Sequence, residues 1–291
     1  MKHITPHIFD DAVALDELAM SVARIGKILN LGAKAHLLSA YSTYATYVAD
    51  PAATQSKFKG RAISSALLVA AYESPPVAIL PLKNAVQTSL SPNICPMCGS
   101  LKTGTADHYL PKADYPEFAF YSWNLVPACD CNTKRGSALY GPGVDERIIH
   151  PFYEKKLLER IISTDFDFSK GTPALTIKKI YPTGINPTTI DFHVKNIHEK
   201  TTMLDWLIAE WARLLEAPMD SMTWYPDVTV RKIQVDHRVV ELMKASDKKL
   251  GTPNNWMSAL FHGVHSSSQA LDLVTNAMNT TIAAQGLISG P

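Results

Sequence analysis

The sequence predicts a mainly α-helical chain carrying one metal-organised insert and a small β-hairpin region. Three observations carry this expectation. Both ends of the chain repeat apolar residues at helical spacings. All four cysteines, Cys95, Cys98, Cys129 and Cys131, fall in one middle stretch with many turn residues and few apolar runs, so a bound metal is its expected organiser. Arg160–Phe168 and Leu175–Tyr181 are rich in β-branched and aromatic residues and flank Lys170-Gly171-Thr172-Pro173, which reads as a hairpin. At 291 residues the chain has room for one large domain or two modest ones, and its 46% apolar content excludes a mainly disordered chain.

Taken in order, residues 1–90 read as a helical N-terminal region. Asp10-Asp11 can cap a helix showing Val13, Leu15, Leu18, Val22, Ile25 and Leu29 at helical spacing. Leu37–Val48 gives a second helix with Tyr41, Tyr44 and Tyr47 three apart, a packed face more than a base-stacking platform. Asp50-Pro51 ends it; Ala62–Tyr72 gives a third, stopped by Pro75-Pro76. Residues 91–153 form the cysteine-bearing module. Residues 154–291 are first mixed and then helical: Leu204, Leu207, Ile208, Trp211, Leu214 and Leu215 share a face, followed by helices at Val230–Met243, Asn255–His265 and Gln269–Met278 and a loose tail at 283–291. Neither flank shows a linker, so the two helical regions are expected to pack on each other around the module.

Charge and hydropathy exclude several classes. The formal net charge is +1, so no global attraction draws the molecule to nucleic acid or an anionic membrane. The most apolar stretch, Ala62–Ala71, is too short to span a bilayer, and Met1–Pro6 lacks the form of a secretory leader. A soluble cytoplasmic protein without membrane partners is expected, and there two close cysteine pairs argue for a metal over disulfides.

Two chemistries interleave in the module. Cys95-Pro96-Met97-Cys98 can point two thiolates at one ion, and Cys129 with Cys131 can complete a tetrahedral, closed, structural zinc site. The bland alternative is four buried free cysteines. Between the pairs stand Asp107 and His108, followed by Asn124 and Asn132. A carboxylate and an amide oxygen suit Mg²⁺ or another hard divalent ion, and a neighbouring histidine can deprotonate water near neutral pH. Asp236-His237 repeats the dipeptide within a helical pattern and reads as a solvated face. His193, His198, His262 and His265 read as packing or surface groups, and His150 stays open because it follows the module closely.

The order CPMCG, DHYLPK, NLVPAC and CNTKRG over residues 93–153 resembles the HNH endonucleases of the zinc-bearing ββα-metal type. His150-Pro151-Phe152-Tyr153 is similar to a stretch that often follows that motif. The resemblance implies that Asp107 and Asn132 ligate a catalytic divalent metal, that His108 is the general base, that Asn124 holds the loop carrying it, and that the four cysteines bind structural zinc. It differs in one spacing: the second cysteine pair is CxC where the family has CxxC, which shortens the chain just before Asn132.

The activity implied is metal-dependent hydrolysis of DNA phosphodiester bonds. Lys134 and Arg135 are candidates for nucleic-acid contact, with solvated helix surface as the equal alternative. Between Cys95 and Tyr140, Lys102, Lys112, Lys134 and Arg135 balance Asp107, Asp114, Glu117 and Asp130, so the module alone has no excess charge for phosphate. Chains of this kind resemble nuclease components of bacterial antiviral defence, which often act beside an ATPase. The competing class is a non-catalytic zinc knuckle that binds a partner or nucleic acid, and it leaves Asp107, His108, Asn124 and Asn132 unexplained.

Overall fold

The computed structural model describes residues 1–21, 24–50, 56, 62–88, 93–101 and 104–286. Val22, Pro51, Lys102 and residues 287–291 of the expected loose tail lie outside them. The chain is mainly helical with two small antiparallel sheets.

The N-terminal helices are α1 (Asp11–Met20), α2 (Arg24–Ile28), α3 (Lys34–Ser42), α4 (Tyr44–Ala49), α5 (Ala62–Glu73) and α6 (Leu80–Gln87). Asp10 caps α1 by accepting from the Ala12 and Val13 amides at 3.1 and 3.0 Å. The expected long first helix is broken. Ser21 is extended at the end of α1, and a π-helical turn, Leu29–Ala33, joins α2 to α3. Val13 points outward at 51% exposure, while Leu15, Leu18, Ile25 and Leu29 are buried. The tyrosine-bearing run is likewise two helices, parted at Thr43, whose hydroxyl donates back to the Ser39 and Ala40 carbonyls. Tyr41, Tyr44 and Tyr47 are all buried, as a packed face requires. Sequence periodicity does not mark α6, which is only eight residues long and carries Pro81 in its first turn.

The module contains β1 (Thr105–His108) and β2 (Leu125–Ala128), antiparallel with Thr105 opposite Ala128 and His108 opposite Leu125, followed by the short helix α7 (Cys131–Arg135). The second sheet pairs β3 (Ile162–Asp167) with β4 (Ala174–Lys179), the hairpin the sequence predicts, with Gly171 at φ +85° in the connection. The C-terminal helices are α8 (Pro187–His193), α9 (Met203–Glu216), α10 (Pro218–Met222), α11 (Lys232–Leu250), α12 (Trp256–Ser266) and α13 (Ser268–Ala284). Among the described residues, no helix is long and apolar enough to cross a membrane.

Contrary to expectation, the helices of the two flanks fall mostly into different clusters, although Met1 lies in the C-terminal one and Ile197 in the N-terminal one. One hydrophobic cluster joins α1–α6 to the module, with Leu15, Leu37, Tyr44 and Leu82 among the same buried residues as Leu110, Phe118 and Leu125. The other joins β3, β4 and the C-terminal helices around Ile161, Leu207, Val239, Val264 and Val274. All four residues of β2 are buried, so the module offers apolar surface enough to be the common wall. Trp256 lies partly buried against both clusters.

The helix α12 lies against strand β3 with no room to spare. A Cβ added at Gly263 would stand 2.4 Å from the Thr164 carbonyl oxygen. Helix propensity alone makes Gly→Ala stabilising by roughly 0.5–1 kcal/mol, whereas overpacking against backbone costs roughly 1–3 kcal/mol. Gly263→Ala is therefore expected to lower stability in a denaturant titration. A stabilised variant would contradict this packing.

Candidate functional site

The cysteines arrive by three routes. The Cys95–Ser100 turn closes through the Cys95 amide to the Ser100 carbonyl at 2.8 Å and the Gly99 amide to the Cys95 carbonyl at 2.9 Å. Gly99 sits at φ +80°, and a Cβ there would lie 2.0 Å from the Asn254 carbonyl oxygen, so no side chain fits. Cys129 follows β2 directly and Cys131 opens α7. The Sγ atoms are 3.7 Å apart for Cys95–Cys131 and 3.5 Å for Cys98–Cys129, and all four lie within 4.8 Å of one another. Four sulfurs at ~2.3 Å around one tetrahedral ion would stand about 3.8 Å apart. This buried cluster can hold a zinc ion, and the CxC spacing does not prevent the four sulfurs from converging. The C-terminal region closes the cluster: Trp256 Nε1 donates to the Cys98 carbonyl at 2.7 Å and His193 Nε2 donates to the Met97 carbonyl at 3.0 Å. His193 Nδ1 accepts from the Ile149 amide at 3.0 Å, which fixes that tautomer.

The same short unit brings Asp107, His108 and Asn132 together. Asp107 and His108 end β1; Asn132 is the second residue of α7. His108 Nε2 lies 2.7 Å from the Ala119 carbonyl, which can only accept, so this nitrogen carries the proton and Nδ1 is the basic one. Burial holds the imidazole down at about 4. Asp107 is 2% exposed, and burial raises its carboxyl to about 7 against the opposing pull of Arg135. Its Oδ2 accepts no hydrogen bond. A carboxylate and an amide oxygen are a donor set that suits a hard divalent cation, and here both face the Arg135 guanidinium, at 3.6 and 3.1 Å.

Asn124 is fully buried and uses both ends of its amide. Its Oδ1 accepts from the Leu110 amide and from the Tyr44 hydroxyl, both at 2.8 Å; its Nδ2 donates to the Leu110 and Phe118 carbonyls at 3.1 and 3.0 Å. The loop after His108 is thus pinned to the start of β2. His150 completes the chain. Its Nδ1 accepts from the Phe152 amide at 3.2 Å, so Nε2 donates to the Tyr44 hydroxyl at 3.2 Å. Tyr44 and His150 are therefore supports of the site. The spacing of the tyrosines gives no sign that Tyr44 differs from Tyr41 and Tyr47.

Arg135 departs from its reading as a solvated or nucleic-acid-facing cation. It is 3% exposed. Nη2 donates to the His108 carbonyl at 2.9 Å and to Asn132 Oδ1 at 3.1 Å, Nη1 donates to the Tyr109 carbonyl at 3.2 Å, and Asp107 Oδ2 lies 3.6 Å from Nη2. Its place in the last turn of α7, one helical turn from Cys131, faces it inward. Lys134 remains outside, paired with Asp130 at 3.1 Å. Asp236 pairs with His265 at 2.6 Å and His237 is exposed, well apart in sequence from the cysteine module.

Against known proteins the likeness is partial. "Protein ea31" of Escherichia phage lambda is 38% identical to this chain over 81 residues, 27% of this chain and 27% of that protein. No family model and no solved structure matches.

Two expectations follow from this geometry. Elemental analysis should find one zinc per chain, and Cys131→Ser should lose it together with thermal stability, because that sulfur anchors α7. Zinc-free parent protein with an unchanged melting curve would contradict the site. The second concerns acid. Burial lowers His108 to about 4, His193 to about 3, and His150 and His198 well below the ordinary 6.5. Below 6.5 the unfolded chain binds protons that the folded chain refuses, so stability falls as pH drops toward 4, by up to about 1.4 kcal/mol per pH unit for each histidine. His262, lowered to about 4, acts with them, whereas Asp107, raised from 3.8 to about 7, and Asp11, raised to about 6, act in the opposite sense and offset part of the loss. Denaturation midpoints at neutral and mildly acid pH measure the net loss; equal midpoints would contradict buried neutral histidines.

Proposed function

We propose that the chain is a metal-dependent endonuclease of HNH type that hydrolyses DNA phosphodiester bonds. One observation supports the reading: β1, β2 and α7 form a strand–strand–helix unit, anchored at the sulfur cluster, that carries a tautomer-fixed histidine next in chain to a carboxylate, which faces Arg135 together with an amide. The residue pattern and the local geometry support it together; the phage relative lends no activity, since its name states none.

In this reading Asp107 and Asn132 would hold a divalent ion such as Mg²⁺, which supplies charge stabilisation at the phosphate and leaving oxygen when bound. His108 Nδ1 takes the proton of the attacking water; the Ala119 carbonyl keeps Nε2 protonated and the ring oriented while it does so. Asn124 fixes the loop on which that carbonyl rides. Arg135 is a positioning residue: it ties the His108 and Tyr109 carbonyls to Asn132 and balances the Asp107 charge before any ion arrives. The sulfur cluster holds α7 in register and takes no part in chemistry. DNA is the proposed substrate, and a partner such as an ATPase in an antiviral setting rests on the resemblance alone.

The non-catalytic zinc knuckle remains as a second reading because one observation favours it: Asp107 and His108 are 2% and 8% exposed. Incubation of zinc-loaded protein with plasmid and added Mg²⁺ or Mn²⁺ separates the two. His108→Ala is expected to lose ~10²–10⁴-fold in cleavage rate while keeping its zinc. Asp107→Ala is expected to shift activity to higher metal concentration or abolish it, and substitutions at Asp236 or His237 to leave it unchanged. A His108→Ala variant as fast as the parent would make the knuckle the better reading.

A further inference from the structure

The candidate base lies beneath a specific cover. The ring of Tyr72, near the end of α5, meets the His108 ring edge-on with centroids 4.2 Å apart, and its hydroxyl donates to the Ala106 carbonyl on β1 at 3.1 Å. Two ammonium groups stand by the same ring: Lys83 from α6 at 5.0 Å and Lys112 from the loop after β1 at 5.1 Å from its centroid. Lys112 also pairs with the exposed Glu73 at 2.9 Å, and Lys83 reaches the Tyr72 carbonyl at 3.5 Å. A nucleic-acid strand cannot touch His108 while Tyr72 holds this place.

We propose that Tyr72 is a removable plug of the His108 site, and that Lys83 and Lys112 are substrate-phosphate contacts whose engagement frees it. The proposal rests on the nuclease reading for its ligand, the phosphodiester backbone. Tyr72 is a core residue, but the polar contacts that fix its ring over His108 are of a weak kind: partly exposed cation–π contacts, one neutral hydrogen bond and an exposed ion pair on a neighbouring residue. A phosphate offers each ammonium a full opposite charge in place of a ring quadrupole and an exposed carboxylate. When both lysines turn to phosphate, Tyr72 keeps only its hydroxyl bond and ring contacts. The helices need not part. Leu68, Leu82 and Val86 anchor α5 and α6 in the core, and a rotation of one side chain uncovers the imidazole. The arrangement also answers the neutral charge of the module, because Lys83 comes from outside it and adds a cation beside the base.

Two measurements on zinc-loaded full-length protein test this without any cleavage. Diethyl pyrocarbonate acylates accessible neutral imidazole, and peptide mass spectrometry reads each histidine, with exposed His237 as the internal reference. Tyr72→Ala is expected to raise His108 modification about tenfold relative to His237, and Tyr72→Phe, which keeps the ring, to match the parent. Equal His108 labelling in the parent and in a folded Tyr72→Ala variant overturns the plug. Because Tyr72 is itself a core residue, a second arm leaves it in place. Lys83→Gln with Lys112→Gln is expected to reduce the slope of log binding constant against log salt for a short duplex DNA, without added divalent ion, by about 1.8. An unchanged slope overturns the phosphate contacts. A chain that gives both shifts yet never cuts DNA would overturn the nuclease reading and leave the plug standing.

Discussion

The convergence of four sulfurs is the constraint on which the rest of the module depends. A hairpin of two four-residue strands and a five-residue helix has no stability of its own; nucleating a single helical turn is unfavourable, and an isolated hairpin is marginal at best. Cys129 and Cys131 bracket the step from β2 into α7, and Cys95 and Cys98 fix the turn before β1 to the same point. Once the four are held together, α7 cannot slide along the hairpin. Asn132 and Arg135 then inherit their positions from Cys131, at one and four residues along the same helix. The pairs could be split as they are in sequence because the hairpin brings its two ends together, Thr105 lying opposite Ala128.

What the sulfurs fix in position, buried amides and a guanidinium fix in detail. Asn124 makes four hydrogen bonds without reaching solvent, and Arg135 satisfies three carbonyls of the chain around His108. Removing either leaves several buried partners unsatisfied, each at roughly 1–3 kcal/mol, so these residues are costly to lose whatever the site does. Polar networks of this kind rigidify a local geometry when they are complete. Two atoms of this network make no hydrogen bond, Asp107 Oδ2 and Arg135 Nε, although Oδ2 faces the guanidinium as an ion pair at 3.6 Å.

Much of this was legible in the sequence, and the failures have physical causes. The cysteine pairs declare themselves because few structural roles need four cysteines in two close pairs, and they converge as that spacing implies. Long amphipathic segments such as α9 and α12 were also readable, since their buried faces repeat over several turns. The N-terminal helices were not read well, because their breaks at Ser21 and Thr43 depend on local side-chain and backbone hydrogen bonds that leave the apolar spacing intact. Arg135 was read outward by its residue type, whereas its burial comes from helix phase relative to Cys131. His150 stayed open in the sequence because it follows the module closely, whereas Tyr44 and Tyr72 carried no sign, because each reaches the module by long-range packing of helices that bear no chemical signature.

The division of the chain into two cores bears directly on how such a site would work. The N-terminal helices pack on the side of the module that carries His108, through Tyr44, Tyr72 and the contact of α6 with both strands. The C-terminal region instead closes the sulfur cluster through Trp256 and His193. One flank therefore covers His108, and the other packs on the sulfur cluster that anchors the helix carrying Asn132. On the nuclease reading, a module without excess positive charge would grip phosphate weakly, and a flank would have to add to it. Among the described residues, the N-terminal flank sets Lys83 over the Tyr72 ring that meets the imidazole, away from the sulfurs. Affinity and access to His108 would then belong to the same surface, while the sulfur anchor would be left to a core that binding does not have to move.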